Sequence, residues 1–204
     1  MSPTLLMTAA YAAVPEEVLP IVAEAGAPDQ YAAWRAANGL APAGPVCRDT
    51  WPGVLVVCAR VEDGGRRRWV SSEDLVSWGV SAAEVWSALE ARAATRVAGS
   101  ERVRPVTGMA GANYWAEAEA DGWAAAVLLA PDAVARRLGG TSLRVAAPTP
   151  DVVLAWVDGG AEVDQIVSVG AAELAATSAG LTPQVWVWRG GWVPGFVARA
   201  RSSP

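Results

Sequence analysis

The chain has 204 residues, long enough for one sizeable core, and its composition of 52% hydrophobic and 18% charged residues is globular. The formal net charge is −5, from 21 acidic residues against 16 basic ones, and all 16 are arginine. The absence of histidine and lysine excludes Ser-His-Asp relays, histidine metal ligands, Schiff-base lysines and the P-loop lysine. The acidic balance (pI ≈ 4.8) also argues against nucleic-acid binding.

The first 50 residues predict a helical arm and a linker. Residues 15–22 are expected to form a short helix. A second helix begins at Pro28 and ends at Gly39, since proline is favoured in the first turn and glycine just after the last. Residues 40–50, which contain Pro42, Gly44 and Pro45, predict the linker.

A hairpin and a capped helix follow. Residues 54–61 and 66–71 predict two strands joined by a turn. Ser81 and Glu84 have the spacing of a capping box. The helix that they open carries one apolar face, formed by Val85, Trp86, Leu89, Ala93 and Val97.

The next segment alternates alanine with glutamate. Residues 114–120 lead through Asp121-Gly122 into the apolar residues 123–129, and this pattern predicts a hairpin. Residues 131–138 then predict a helix.

Residues 142–179 contain the best helical pattern in the chain. Strands are predicted at 142–147 and 152–158, followed by a long helix. An apolar stripe at helical spacing is expected to be buried, and it consists of Val163, Ile166, Val167, Gly170, Ala171 and Leu174. The final strands, 184–189 and 192–198, are joined by a Gly-Gly turn.

These elements predict an α+β fold, with a mainly antiparallel sheet built from hairpins and helices packed on one face. The predicted organisation is an arm and linker at 1–50, an α+β domain at 51–198 and a tail at 199–204. A hairpin followed by a helix occurs at 54–98 and again at 142–179, which suggests an internal duplication.

Several of these segments resemble the YtpQ-like family of uncharacterised bacterial proteins (domain of unknown function 1444). The resemblance is carried by residues 54–61, 69–75, 81–89, 121–122 with 125–129, and 145–154. The helical segment from Val163 and the strand at 186–188 follow in the expected order, and the resemblance extends over about residues 51–195. The family implies no activity and no catalytic residue. The chain departs from it in having no lysine or histidine.

The two cysteines, Cys47 and Cys58, lack the further ligands at short spacing that a zinc site needs. Cys58 lies in an apolar run and is predicted to be a buried, unreactive thiol, with a disulfide as the alternative. The N-terminal segment has no basic residue before its apolar part, which argues against a signal peptide. No run of about 20 apolar residues predicts a membrane span. We therefore expect a cytoplasmic protein.

Two clusters of charged residues are candidate binding sites. Arg66, Arg67 and Arg68 follow a turn, where guanidinium groups bind phosphates or acidic partners, although a solvated hairpin is favoured. Glu117 and Glu119 alternate with alanine before Asp121, and such carboxylates hold a cation or form a charged outer face, the latter being favoured. We predict no metal and no cofactor.

Tryptophan is the most unusual feature, with 11 Trp against 3 Tyr and 1 Phe. Most of them are predicted to be core residues, namely Trp34, Trp69, Trp78, Trp86, Trp115, Trp123 and Trp156. Trp186 and Trp188 alternate with valine along one strand, and Trp192 follows the glycine turn. Either these three indoles form a recognition surface, with at least two of them accessible, or the Trp face is the core face.

Two classes of function remain. The first is a non-catalytic binding or accessory protein whose partner is another protein, contacted through Trp186, Trp188 and Trp192 and through the arginines at 66–68. The second is a small enzyme that uses carboxylate, Arg, Ser, Tyr or Cys groups. The missing histidine and lysine favour the first class and predict no catalytic residue.

Overall fold

The computed structural model describes residues 14–41, 43–63, 66–99, 103–105, 113–118, 123–157, 160–177 and 180–199. The chain divides into two compact units, Met1–Arg92 and Ala93–Pro204. The sequence instead predicted an arm at 1–50 and one domain at 51–198.

The first unit is built on an antiparallel sheet in which β3 is central. Strand β1 pairs with one edge of β3, while β2 and β4 pair with successive parts of the other edge. The elements in chain order are β1 (Val18–Glu24), α1 (Ala27–Ala37), β2 (Cys47–Trp51), β3 (Leu55–Asp63), β4 (Arg66–Trp69), α2 (Ser72–Trp78) and α3 (Ala82–Gly99), which continues into the second unit.

The helix predicted at residues 15–22 is wrong, because β1 occupies this segment. Val18, Pro20 and Val22 are buried and alternate with partly exposed residues, which is the period of a strand with one covered face. Pro20 cannot sit in a helix interior without loss of a hydrogen bond, whereas an edge strand such as β1 accommodates it. The predicted linker also contains the strand β2.

The capped helices of this unit agree with the predictions. Helix α1 has proline in its first turn and Gly39, at φ 69°, just after its end. At the start of α3, Glu84 accepts hydrogen bonds from the Ser81 backbone N–H (2.7 Å) and hydroxyl (2.8 Å), which confirms the capping box. The predicted apolar face of α3 is buried throughout.

Side chains of α3 hold two strands of the first sheet. Arg92 donates to the carbonyls of Val14 (2.7 Å) and Pro15 (2.9 Å), just before β1. Arg48 of β2 lies 4.7 Å from the ring centre of Trp86 and pairs with Glu90.

The second unit contains a six-stranded antiparallel sheet in the order β10-β9-β7-β8-β6-β5. A short 3-10 helix at Trp123–Ala125 precedes α4. The elements are β5 (Val103–Pro105), β6 (Asn113–Ala118), α4 (Ala126–Leu129), α5 (Pro131–Arg137), β7 (Leu143–Thr149), β8 (Val152–Trp156), α6 (Ala161–Ala175), β9 (Gln184–Trp188) and β10 (Trp192–Val197). The predicted α+β class with antiparallel sheets is confirmed.

Helices cover both faces of this sheet, whereas the sequence predicted one covered face. On one face, α6 packs on a cluster that includes Ala146, Leu154, Trp156 and Val185. The alternating residues on the same strands point to the opposite face. They are fully buried as well, and include Leu143, Val145, Val153 and Ala155. Trp188 on that opposite face contacts α5, so the segment of α4 and α5 covers it.

Helix α6 buries less of its apolar stripe than predicted. Val163 and Val167 are buried, but Ile166 is 42% exposed and Leu174 36%, so the prediction for these two residues is wrong. The covered arc of the helix is displaced towards Ser168 and Ala172, away from Ile166, and Leu174 lies in the last turn.

A partly buried polar contact fixes α6 on the sheet. Asp164 accepts a hydrogen bond from the Trp156 indole N–H at 2.8 Å and pairs with Arg144. The register places Arg144 opposite Trp156 on β7 and β8, so one carboxylate of α6 binds both strands.

The strand predicted at residues 123–129 is wrong, since this segment is helical. Residues 124–128 are all buried, so they show no amphipathic period, and a short apolar run of this kind fits either element. The three alanines at 124–126 favour the helix. Strand β6 consequently pairs with β5 and β8 rather than with this segment.

Among the described residues, none of the helices is both long enough and apolar enough to span a membrane.

Candidate protein-binding surface

The C-terminal hairpin forms as predicted, with β9 and β10 paired antiparallel and β10 at the edge of the sheet. Gly190, at φ 75°, makes the turn. Trp188 lies directly opposite Trp192, and Trp186 lies opposite Pro194. Both pairs therefore point to the same face of the sheet.

The three C-terminal tryptophans differ in burial. Trp186 is 4% exposed and lies between Val145 of β7 and Pro194 of β10, so it is a core residue and not part of a recognition surface. Trp188 and Trp192 are both partly exposed, with ring centres 5.1 Å apart and planes tilted by 58°. The Trp188 indole N–H donates to Asp132 of α5 at 2.6 Å, which fixes its orientation.

Strand β10 adds exposed apolar side chains to these indoles. Val193, Phe196 and Val197 are 47%, 37% and 58% exposed. We name the group formed by Trp188, Trp192, Val193, Phe196 and Val197 the hairpin surface. Trp188, Trp192 and Val197 share one face of the hairpin, whereas Val193, opposite Val187, projects from the other face, so the hairpin surface follows the edge of the sheet. Exposed apolar side chains grouped in this way are typical of interaction sites.

Glycine lets β10 lie close against β9. A Cβ atom at Gly195 would be 2.9 Å from the Val185 carbonyl oxygen and 3.2 Å from a methyl group of Val187. The irregular pairing between Pro194 and Val197 falls at the same point, so the far end of β10 bends locally.

The arginines at the other predicted site already have carboxylate neighbours. Arg67 lies 3.8 Å from Glu62, its cross-strand partner, and both side chains are half exposed. Arg68 pairs with Asp74 at 2.8 Å. The side chain of Arg66 is outside the described residues. This arrangement favours the charge-balanced hairpin over a phosphate site.

Asp74 caps α2 as well as pairing with Arg68. Its carboxylate accepts hydrogen bonds from the Ser71 backbone N–H (2.8 Å) and hydroxyl (3.1 Å). Burial on its own raises the pKa of this carboxyl, but the hydrogen bonds from Arg68 and Ser71 outweigh it and hold the pKa below its ordinary value of 3.8.

Asp74 therefore stabilises the fold above its ordinary pKa, and this contribution is lost as the pH falls through the lowered value. We expect Asp74→Asn to reduce the free energy of unfolding at neutral pH by about 1–3 kcal/mol. The difference from the wild type should shrink in acid, as measured by urea denaturation at several pH values. Asp29→Asn, at the exposed start of α1, is the matched control. An equal loss at all pH values contradicts the prediction.

An aromatic stack in the first unit was missed. Tyr31 lies between Trp34 (6.0 Å) and Trp69 (5.9 Å), with nearly parallel rings. Trp34 is 55% exposed, so its predicted place in the core is wrong. The spacing of Tyr31 and Trp34 by three residues on α1 signals that they share a face. Nothing in the sequence links them to Trp69.

Arg35, bonded to Glu73 at 3.1 Å, holds α1 in place.

The predicted carboxylate row lies largely outside the described residues. Glu119 and Asp121 lie outside the described residues, and only the backbone of Glu117, in β6, is described. In the part of the chain that the structure describes, no group of three or more His, Cys, Asp or Glu could hold a metal ion.

The cysteines form a disulfide, so the prediction of a free thiol at Cys58 is wrong. Cys58 is fully buried, as predicted. The two residues are directly opposite on the adjacent strands β2 and β3, with Cα atoms 4.0 Å apart. Spacing alone did not reveal this pairing because β2 was predicted to be a linker.

Comparison with models of known protein families, with curated proteins and with solved structures gives no match for this chain. The resemblance to the YtpQ-like family therefore stays a prediction.

Proposed function

We propose that this protein is a non-catalytic binding or accessory protein that contacts another protein through the hairpin surface. The observation that carries the proposal is the exposure of Val193, Phe196 and Val197 along the edge strand β10, which also carries Trp192 of the paired indoles. Interface cores are enriched in such aromatic residues. Because Trp188 is held by Asp132, little side-chain freedom is lost on binding.

The proposal narrows the site predicted from the sequence. Trp186 is buried and therefore cannot contact a partner. Arg67 and Arg68 form ion pairs with carboxylates of their own unit. The serine–carboxylate contacts Ser71–Asp74 and Ser81–Glu84 are helix caps, so they do not favour the enzyme alternative.

A cytoplasmic location is part of the same proposal, and the disulfide between Cys47 and Cys58 counts against it. Structural disulfides are rare in the reducing cytoplasm and common in oxidising compartments. The partner is therefore to be sought without assuming a compartment.

The test is capture of partners from the native cell lysate with wild-type protein and with Trp192→Ala, followed by measurement of the Kd with the purified partner. We expect Trp192→Ala to weaken binding by about 1–3 kcal/mol if this residue is a hot spot. Thermal stability should change little, because the side chain is partly exposed at the edge of the sheet.

Trp34→Ala is the matched control, since Trp34 is an exposed tryptophan on α1 in the other unit. It should leave the Kd unchanged. A partner that binds Trp192→Ala as tightly as the wild type, or that depends on Trp34 instead, contradicts the proposal.

A further inference from the structure

The charges around the hairpin differ in sign from those of the whole protein. The net charge is −5, yet none of the residues after Glu173 is acidic, and arginines follow at 189, 199 and 201. Arg189 lies in the turn before β10, and Arg199 lies just beyond its other end, both exposed. The six residues of β10 span about 20 Å. An elongated apolar strip is thus flanked at each end by a cation.

The backbone of β10 is poorly suited to pairing with a further strand. The Arg189 N–H donates to the Gly191 carbonyl at 3.1 Å. Hydrogen-bonded and non-hydrogen-bonded residue pairs alternate along an antiparallel ladder. Starting from the Arg189–Gly191 bond, Val187–Val193 is therefore a hydrogen-bonded pair and Trp186–Pro194 is a non-hydrogen-bonded pair. Pro194 therefore directs its backbone towards the open edge, where it has no N–H to offer. Recognition at this edge depends on side chains.

We infer that the partner of the hairpin surface is a protein segment with an apolar centre and acidic residues that reach Arg189 and Arg199. This inference rests on the proposed function and names the chemistry of the partner. Opposite charges at the rim of an interface speed association and select the partner, while the apolar centre supplies most of the affinity.

Charge also decides between this partner and two others. A second copy of the chain docked on the same surface would bring the flanking arginines of the two copies together, and like charges across an interface are unfavourable. Recruitment to an anionic membrane usually takes about 4–8 clustered basic residues, more than flank this strand. The carboxylate of Asp132, which contacts the hairpin surface, already accepts the hydrogen bond of the Trp188 indole N–H.

The test selects random displayed peptides on the full-length protein and measures the Kd of the best binder as a synthetic peptide. We expect the selected peptides to be rich in Asp and Glu around apolar residues. The double reversal Arg189→Glu with Arg199→Glu should weaken binding about tenfold or more, with the effect reduced by salt. The control reversal Arg67→Glu, on the exposed β3–β4 hairpin, should leave the Kd unchanged.

The outcomes separate this inference from the proposed function. Peptides that lose binding with Trp192→Ala but not with the double reversal overturn the acidic partner and leave the proposed function standing. The absence of any binder that depends on Trp192 overturns both. Sedimentation of the protein with phosphatidylcholine–phosphatidylglycerol vesicles, or a dimer that is lost with Val197→Glu, overturns the protein segment in favour of a membrane or a second copy.

Discussion

Trp186→Ala should lower the free energy of unfolding by about 3–5 kcal/mol, the usual cost of removing a large aromatic side chain from a core. Trp186 is 4% exposed on β9, the strand next to the edge of the second sheet, between Val145 and Pro194. Alanine at this position leaves a cavity that neighbouring strands cannot close without breaking their pairing. Urea denaturation followed by circular dichroism measures the effect.

Two variants make this result specific. Trp186→Phe keeps an aromatic ring and should cost less than the alanine variant. Trp192→Ala removes the same side chain two residues before Pro194 on the neighbouring strand, and its loss should be much smaller, because that indole is partly exposed. If Trp186→Ala and Trp192→Ala have equal effects on stability, the assignment of Trp186 to the core and of Trp192 to the surface is wrong.

The contrast between these two tryptophans shows what the sequence could predict. Alternation along β9 correctly placed Trp186 and Trp188 on one face, because the side-chain period of a strand is two. It could not show how far that face is covered. Coverage depends on α4 and α5, which lie about 60 residues earlier in the chain, and residues 123–129 were predicted as a strand.

The same limit applies to α6 and β1. The helical period correctly located α6, but the width of the covered arc depends on the sheet beneath it, and Ile166 lies outside that arc. The strand β1 was predicted as a helix although Pro20 argued against a helix interior. Its strand form depends on pairing with β3, more than 30 residues later, and local sequence carries little information about such a contact.

Reduction of the disulfide between Cys47 and Cys58 should destabilise the first unit by about 3 kcal/mol, the chain-entropy value for a short closed loop. The two residues are eleven positions apart and join β2 to β3. Strand β2 lies at an edge of the sheet, so fewer strand contacts hold it once the bond is broken. Urea denaturation of the wild-type protein with and without dithiothreitol measures the difference.

The double variant Cys47→Ala with Cys58→Ala is the control, and its stability should not respond to the reductant. A wild-type protein that also fails to respond shows that the thiols are free in solution. Alkylation of thiols in intact cells then decides the compartment. Blocked, oxidised cysteines at both positions contradict the predicted cytoplasmic location, because the cytoplasmic thiol pool reduces most structural disulfides. Alkylated cysteines support that location, and β2 is then held by its pairing with β3 and by the contact of Arg48 with Trp86.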